Sequence, residues 1–311
     1  MGETAAGLGF LGAMALDVAL GWPGWLYRLV GHPVGLFARI IGWAEHWGNR
    51  PDFPPVARRM AGVATVLILL IVAGGGAWVL QRVVRDLPVP ALWLALLAWP
   101  ALAMRSLDDH ARAVWRPLRA GDLPAARCAV GMIVGRDTRD LDVNGVARAA
   151  IESLAESFCD GVLAPLFWLV VLGLPGVWAY KALNTADSLI GHPEPDLRDF
   201  GWAAARADDL ANWIPARLSG VLLCLVGGGW RVMARDCRRH ASPNAGWPEA
   251  AMAGALRARL AGPISYDGVL RDKDWIGDGP PAGVAELGRA LWLYRRACVM
   301  VAVLVGVLWL R

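Results

Sequence analysis

Uncharged stretches long enough to cross a lipid bilayer constrain this chain more than any other feature. Residues 60–81, 87–104 and 161–180 contain no Asp, Glu, Lys or Arg. A helix needs about 20 apolar residues to cross the hydrocarbon core of a bilayer. The composition agrees, because 56% of the residues are hydrophobic and 19% are charged, against about 25% charged in soluble domains. These stretches predict an all-α, polytopic integral membrane protein.

Three further apolar segments bring the expected number of spans to about four to six. Residues 5–27 contain Asp17 as their only charge, and residues 210–230 contain only Arg217. Residues 297–310 give only about 21 Å of helix. This last segment is therefore tilted, lies at the membrane surface, or extends upstream past the preceding arginines.

Loop charges predict the orientation of the chain, because arginine and lysine concentrate in cytoplasmic loops. The segments that follow the third and fifth apolar blocks are rich in arginine. We therefore expect residues 1–311 to form one integral membrane domain, with 105–160 and 231–296 as larger cytoplasmic loops containing helices. The expected location is the cell inner membrane, with a multi-pass topology.

Helix-breaking residues interrupt two of the blocks. Residues 173–176 read Gly-Leu-Pro-Gly, and Pro215 lies within the fifth block. Broken or re-entrant helices occur at membrane depth where they line a cavity in the protein. We favour such breaks here, because they return the polar segment 184–211 to the cytoplasmic side.

The excess of basic residues is compatible with anionic partners of several kinds. The formal charge is +4, and 31 residues are Lys or Arg. This balance suits anionic lipids or anionic substrates. No basic cluster is interleaved with aromatic residues outside the apolar blocks, so we expect no nucleic-acid partner. The five cysteines form no CxxC pair, which argues against a zinc site.

A stripe of charged residues at four-residue spacing is the first candidate site. Arg148, Glu152, Glu156 and Asp160 would lie near one face of a helix. Three carboxylates there repel one another unless a cation compensates. Arg148 can pair with Glu152, which leaves the other two carboxylates for Mg²⁺, a metal that prefers oxygen ligands. The alternative is a solvated, salt-bridged helix face.

Two polar groups farther along the chain form a second and a third candidate. The second lies at the end of the fourth block and consists of Lys181, Asn184, Thr185, Asp187 and Ser188. Its lysine could bind phosphate or merely extend to the membrane surface. The third consists of Arg206, Asp208, Asp209, Asn212 and Arg217, and its aspartates could instead only cap a helix. Asn244 follows in a loop whose polar residues could serve the turn alone.

Several long motifs in one order resemble the adenosylcobinamide-phosphate synthase family (CobD/CbiB). They read GRDTRDLDVNGVARAAIESLAESFCDGVLAPLFW at 135–168, YKALNTADSLIGH at 180–192, FGWAAARADDLANWIPARL at 200–218 and SPNAGWPEAAMAGAL at 242–256. Shorter matches are GHPV at 31–34 and WIGDGP at 275–280. The resemblance covers about residues 16–294.

The resemblance implies an ATP-dependent amide synthase of cobalamin biosynthesis. Members of this family join (R)-1-amino-2-propanol, or its O-phosphate, to the free propionate of adenosylcobyric acid. The expected partners are therefore the corrinoid and the amino-alcohol phosphate, with ATP and Mg²⁺ as cosubstrate and metal. A separate soluble subunit or a homo-oligomer is also compatible with the chain.

We assign hypothetical roles on this basis and expect one cytosol-facing cavity. The predicted catalytic residues are Glu152, Glu156, Asp160, Lys181 and Asp187. The predicted substrate- or nucleotide-binding residues are Arg136, Asp137, Thr138, Asn184, Arg206, Asn212, Arg217 and Asn244. The predicted Mg²⁺ ligands are Glu156, Asp160, Asp208 and Asp209. The competing interpretations are a corrinoid-binding or transport protein without chemistry of its own, and the membrane subunit of a two-component synthase.

Overall fold

A computed structural model describes residues 2–192, 194–266 and 269–309. The chain is 75% helical with almost no strands, which confirms the all-α prediction. Its contacts divide it into two compact units. The first comprises the N-terminal residues through Ala103, residues Ala164–Asn212 and the chain end from Leu304; the second comprises Met104–Leu163 and Trp213–Val303.

The first unit consists of helices joined by turns and loops. In chain order these are α1 (Glu3–Leu20), α2 (Gly24–Val30), α3 (Val34–Gly48), α4 (Pro55–Leu70), a π-helical turn (Ile71–Gly75), α5 (Gly76–Arg85), α6 (Pro90–Ala98) and a 3₁₀ turn (Trp99–Ala101). The chain then enters the second unit and returns to the first at Ala164. The helices that follow in the first unit are α10 (Ala164–Leu172), α11 (Leu174–Ile190) and α12 (Trp202–Ala211).

The second unit combines helices with two small antiparallel sheets. Its helices are α7 (Met104–Arg119), α8 (Leu123–Gly131), α9 (Val143–Phe158), a π-helical turn (Cys159–Leu163), α13 (Trp213–Gly227), α14 (Trp230–Asp236), α15 (Gly246–Leu256) and most of α16 (Val284–Trp309). Strand β1 (Leu260–Ala261) pairs with β4 (Trp275–Ile276), and β2 (Ile264–Tyr266) pairs with β3 (Val269–Arg271). The segment 231–296, expected to contain helices, therefore also contains short strands.

Five helices in the described part of the chain are long and apolar enough to cross a membrane. They are Glu3–Leu20, Pro55–Arg85, Pro90–Arg119, Val143–Leu172 and Val284–Trp309. The pair α12 and α13 would add a sixth span, broken at Asn212. The prediction of about four to six spans is therefore confirmed by five or six candidate helices.

Large apolar side chains cover the outer surface of these helices. Only 28% of the apolar 18-residue stretch of the helix Pro55–Arg85 is buried. Ile71 and Val299 are among the exposed large apolar side chains. Apolar surface on this scale is rare in soluble monomers. It is the surface expected of helices that face lipid.

The fourth apolar block, predicted at 161–180 with a break at residues 173–176, does break there, but its first helix begins well upstream of residue 161. The helix begins at Val143, where the Asp142 carboxylate caps it by accepting a hydrogen bond from Gly145 N at 2.7 Å. It ends at Leu172, because Gly173 adopts a φ of 71°, which favours glycine. The acidic stripe thus belongs to the same long helix as the apolar segment.

The ends of the other blocks follow similar backbone signals. Helix α1 ends at Leu20 before Gly21, which has a φ of 59°, so block 5–27 was predicted too long. The C-terminal helix begins at Val284, which confirms the upstream extension past Arg295 and Arg296. Leu310, the last residue of that block, lies outside the described residues.

Candidate active site

A polar cavity of about 260 Å³ lies in the second unit beside α9. The loop before α9, the loop after α14, helix α15 and the strand region all contribute to it. Its lining residues are Ile133, Val134, Gly135, Arg136, Glu152, Ser153, Glu156, His240, Glu249, Ala261, Ile264 and Lys273. The predicted residues Arg136, Glu152 and Glu156 therefore meet at one cavity.

A buried ion pair forms one wall of this cavity. Arg136 Nη2 donates to Glu152 Oε2 at 2.5 Å, and Ala261 N donates to Glu152 Oε1 at 2.7 Å. Glu152 is only 4% exposed. Arg136 Nη1 is buried and has no hydrogen-bond partner among the described residues. A buried donor without a partner is costly, so this nitrogen is suited to an anionic group that enters the cavity.

Arg148 occupies a supporting position behind Glu152. Its Nε lies 3.8 Å from Glu152 Oε1, a long ion-pair distance, which confirms the predicted pairing. Its Nη2 also donates to Pro263 O at 3.2 Å, and its guanidinium lies 5.0 Å from the Trp275 ring centroid. Arg148 therefore ties α9 to the strand region, while Arg136 makes the short contact.

Glu249 and His240 form a second buried contact in the cavity, which the sequence did not reveal as functional. Glu249 is 3% exposed on α15, and its Oε1 lies 3.6 Å from His240 Nε2. Burial raises the pKa of the Glu249 carboxyl well above its ordinary value, and the charges of Glu152 and Glu156 add to the effect. Burial also lowers the pKa of His240 to about 4, with a further contribution from the charge of Lys273.

Both pKa shifts favour the uncharged form of the group concerned, the carboxylic acid of Glu249 and the neutral imidazole of His240. Ser242 N donates to His240 Nδ1 at 3.0 Å, so the proton of the neutral ring sits on Nε2 and faces Glu249. The 3.6 Å contact therefore joins two groups whose uncharged forms burial favours. Glu249 can donate a hydrogen bond into the cavity, which an ionised carboxylate cannot do.

Protonation of His240 should destabilise the folded protein in acid. Its folded pKa of about 4 lies below the ordinary value of 6.5, so the unfolded chain binds the proton first. The stability that neutral His240 supplies is present above pH 6.5 and is lost as pH falls towards 4, by roughly 3 kcal/mol. Thermal unfolding between pH 4 and 7 should show a smaller acid loss for His240→Gln than for the wild type. Parallel profiles would contradict this assignment.

A separate network of polar side chains lies in the first unit between α11 and α12. Tyr180 Oη donates to Asn212 Oδ1 at 3.0 Å, and Asn212 Nδ2 donates to Asp208 Oδ2 at 2.9 Å. Asn184 Nδ2 lies 3.5 Å from the other oxygen, Oδ1. Asp208 is 8% exposed, so these donors fix both oxygens of a buried carboxyl group.

Other predicted residues surround this network. Asp187 and Asp209 are close enough to Asp208 to interact electrostatically with it. Arg206 is exposed, with Nη1 3.4 Å from Asp209 Oδ2. Lys181 lies near His32, whose pKa is lowered by burial and by the charge of this lysine.

Some predicted residues lie apart from both groups. Arg217 belongs to the second unit, where its Nη1 donates to Asn244 Oδ1 at 3.0 Å. Its guanidinium lies 4.5 Å from the Trp213 ring and 4.9 Å from the Trp247 ring. The third predicted group is thus divided between the units, and the half-buried Arg217 pairs with the buried Asn244.

The remaining predicted residues adjoin the cavity in sequence but do not belong to its described lining. Asp137 and Thr138 follow Arg136 in the loop, and Thr138 Oγ1 lies beside Gly131. Asp160 is half-buried in the π-helical turn after α9. π-Helical turns are frequent at functional sites, but Asp160 is not among the lining residues of the cavity, whereas Glu152 and Glu156 are.

No group of three His, Cys, Asp or Glu side chains within the described ranges is arranged to hold a metal ion. Mg²⁺ commonly binds through one or two protein carboxylates, water and substrate phosphates. Glu156 is exposed at the cavity and fits that donor chemistry. The predicted ligands Glu156 and Asp160 belong to the second unit, and Asp208 and Asp209 belong to the first.

Comparison with known proteins places the chain in a family. The sequence model described as CobD/Cbib protein matches residues 10–294. The cobalamin biosynthesis protein CobD of Rhodobacter capsulatus is 50% identical, with 96% of each chain covered. The protein of that name from a Sinorhizobium species is 46% identical over 93% of this chain and 94% of its own, and that of Brucella suis biovar 1 is 44% identical over 82% and 81%. No solved structure matches. This membrane protein therefore belongs to the CobD/CbiB family.

Proposed function

We propose that this protein acts in cobalamin biosynthesis by joining an amino alcohol to a corrinoid through an amide bond. The acid would be the free propionate of adenosylcobyric acid, and the amine (R)-1-amino-2-propanol or its O-phosphate. The relatives carry the name cobalamin biosynthesis protein. The observation that carries the proposal is the cavity in which Arg136 and Lys273 face the carboxyl groups of Glu156 and Glu249.

The chemistry requires activation of the acid, because a carboxylate accepts an amine poorly at neutral pH. In the proposed reaction a carboxylate oxygen of the substrate attacks the γ-phosphorus of ATP, and ADP leaves. The amine nitrogen then attacks the carbonyl carbon of the acyl phosphate, and inorganic phosphate leaves. The incoming ammonium must first lose a proton to a base.

The cavity contains groups suited to each requirement. Arg136 Nη1 and Lys273 would bind phosphate oxygens, since charge-assisted hydrogen bonds to phosphate are strong. Glu156 would accept the proton of the amine or hold Mg²⁺, which when bound neutralises phosphate charge. The neutral Glu249 carboxyl group would donate to an oxygen of the substrate.

The first unit's network is proposed to bind substrate. Asp187 and Asp209 suit a cationic amine, and Lys181 and Arg206 suit a phosphate group. Asp208 would hold its neighbours in place through Asn184 and Asn212. These roles, and the single cavity expected from the sequence, stay predictions.

The proposed setting is the cell inner membrane, with the active site facing the cytoplasm. The arginine-rich segments after the third and fifth apolar blocks favour that side. A homo-oligomer or a separate soluble subunit stays a prediction.

Product formation by the purified protein tests the function. We expect detergent-solubilised protein with ATP, Mg²⁺, adenosylcobyric acid and aminopropanol phosphate to form adenosylcobinamide phosphate and ADP in equal amounts, as measured by mass spectrometry. The reaction needs no membrane gradient, so a transporter without chemistry would give no product. Product that appears only after a soluble extract is added would identify the two-component alternative.

A further inference from the structure

An apolar groove of about 700 Å³ lies on the second unit, away from the residues assigned to catalysis. We call it the α13–α16 groove and define it by its lining residues. These are Trp115, Val226, Gly227, Ala255, Leu256, Ala285, Gly288, Arg289, Trp292 and Leu293. The volume falls within the roughly 300–1,000 Å³ typical of small-molecule sites, but a cavity lined mainly by apolar groups would not hold a free inorganic anion.

The groove lies where apolar helix segments end. Helix α13 ends at Gly227, and a Cβ added there would lie 2.6 Å from Leu293 Cδ2. On α16, Arg295 and Arg296 precede the uncharged stretch that runs to Trp309. The end of α13 therefore packs against α16 just before the uncharged stretch of α16 begins, which is the position expected of a membrane–water boundary.

Tryptophan residues paired with arginine flank the groove. The Arg296 guanidinium lies 3.8 Å from the Trp292 ring centroid, and the Arg119 guanidinium lies 5.2 Å from that of Trp115. Trp115 Nε1 also donates to the carbonyl of Val284 at 3.2 Å, which fixes this ring. Tryptophan and arginine in such positions are typical of a membrane interface.

Positive charge predominates at the rim of the groove. Arg289, which lines it, donates to Glu286 Oε1 at 2.9 Å and to the carbonyl of Leu256 at 2.9 Å. Glu286 balances this one charge, while Arg119 and Arg296 stack on their tryptophans. An apolar groove with a cationic rim is complementary to a molecule that has a hydrocarbon chain and an anionic head.

We propose that the α13–α16 groove binds one anionic phospholipid. An acyl chain lies along the apolar lining, and the headgroup phosphate faces Arg289 and Arg296. Each basic residue near an anionic lipid surface contributes about 1 kcal/mol. This site is independent of the proposed amide synthesis.

Native mass spectrometry of the delipidated full-length protein tests the site. Phosphatidylglycerol and phosphatidylcholine with identical acyl chains are titrated separately. We expect one tightly retained phosphatidylglycerol and weaker phosphatidylcholine. Replacing both Arg289 and Arg296 with glutamine should weaken phosphatidylglycerol binding by roughly 30-fold. Ala285→Trp, which fills the groove, should weaken both lipids.

A matched control is available on another candidate span. Arg82 lies 5.0 Å from the Trp78 ring centroid, so Arg82→Gln removes a similar arginine–tryptophan pair outside the groove and should leave lipid retention unchanged. Equal binding of both lipids, or equal losses in Arg82→Gln and the double variant, would overturn the proposal. So would a protein dimer that Ala285→Trp dissociates, because a second copy would then occupy the groove.

Discussion

Replacing Arg136 with glutamine should reduce amide formation by about 10²–10³-fold, the usual effect of removing a preorganised donor to developing charge. Arg136 Nη2 is engaged by Glu152, while Nη1 is buried and has no partner among the described residues. The substitution removes the donor that we assign to substrate phosphate. The initial rate of product formation by purified protein measures the effect.

Two variants separate this role from a general loss of charge. Arg139 is exposed three residues along the same loop, so Arg139→Gln should retain nearly full activity. Arg136→Lys should remain impaired, because an ammonium lacks the planar fork that can contact Glu152 and a phosphate together. Full activity of the lysine variant would show that charge alone suffices.

A double variant separates chemistry from folding. Arg136→Gln alone leaves the Glu152 carboxylate buried without its main counter-charge, which is itself destabilising. Adding Glu152→Gln removes that charge, so the double variant should recover stability relative to Arg136→Gln but not activity. Recovered activity would mean that Arg136 acts only by holding Glu152.

The membrane fold could largely be predicted from the sequence because hydropathy is a local property. The span at residues 60–81 could be recognised from local hydropathy alone, and these residues lie within the helix Pro55–Arg85. The fourth block was harder, because the helix continues through Glu152, a charge that normally ends an apolar segment. Burial against Arg136 makes that charge tolerable, and no hydropathy pattern can show such a distant partner.

The candidate site was predictable where it depends on one helix. Four-residue spacing brings Glu152 and Glu156 to the same cavity, and it places Asn212 2.9 Å from Asp208. Each such step also rotates a residue by about 40° around the helix. The drift accumulates, and the π-helical turn that contains Asp160 interrupts the regular spacing.

The residues missed by sequence reasoning come from distant segments. Glu249 lies on α15, His240 follows α14, and Lys273 precedes β4. Nothing in their local sequence indicates that they face α9. The sequence offered one signal for Lys273. Only two of the 31 basic residues are lysines, so lysine is unusual in this chain, and the other one, Lys181, was already a candidate.

Substitution of the two neighbouring glutamates on α9 should have opposite consequences. Glu152→Gln removes the negative charge that the buried guanidinium of Arg136 contacts and that Arg148 approaches, and it should destabilise the fold by about 3–5 kcal/mol. For units of this size that corresponds to a fall in melting temperature of roughly 10 °C. Glu156 is exposed one turn away, so Glu156→Gln should change the free energy of unfolding by less than about 1 kcal/mol. It should nevertheless lower the rate of product formation by about 10²–10⁴-fold, as expected for loss of a catalytic base.

Thermal unfolding followed by tryptophan fluorescence, together with the product assay, measures both effects on the same samples. If Glu156→Gln keeps full activity, the base or metal ligand lies elsewhere. If Glu152→Gln unfolds at the wild-type temperature, the buried ion pair with Arg136 does not hold the wall of this cavity together.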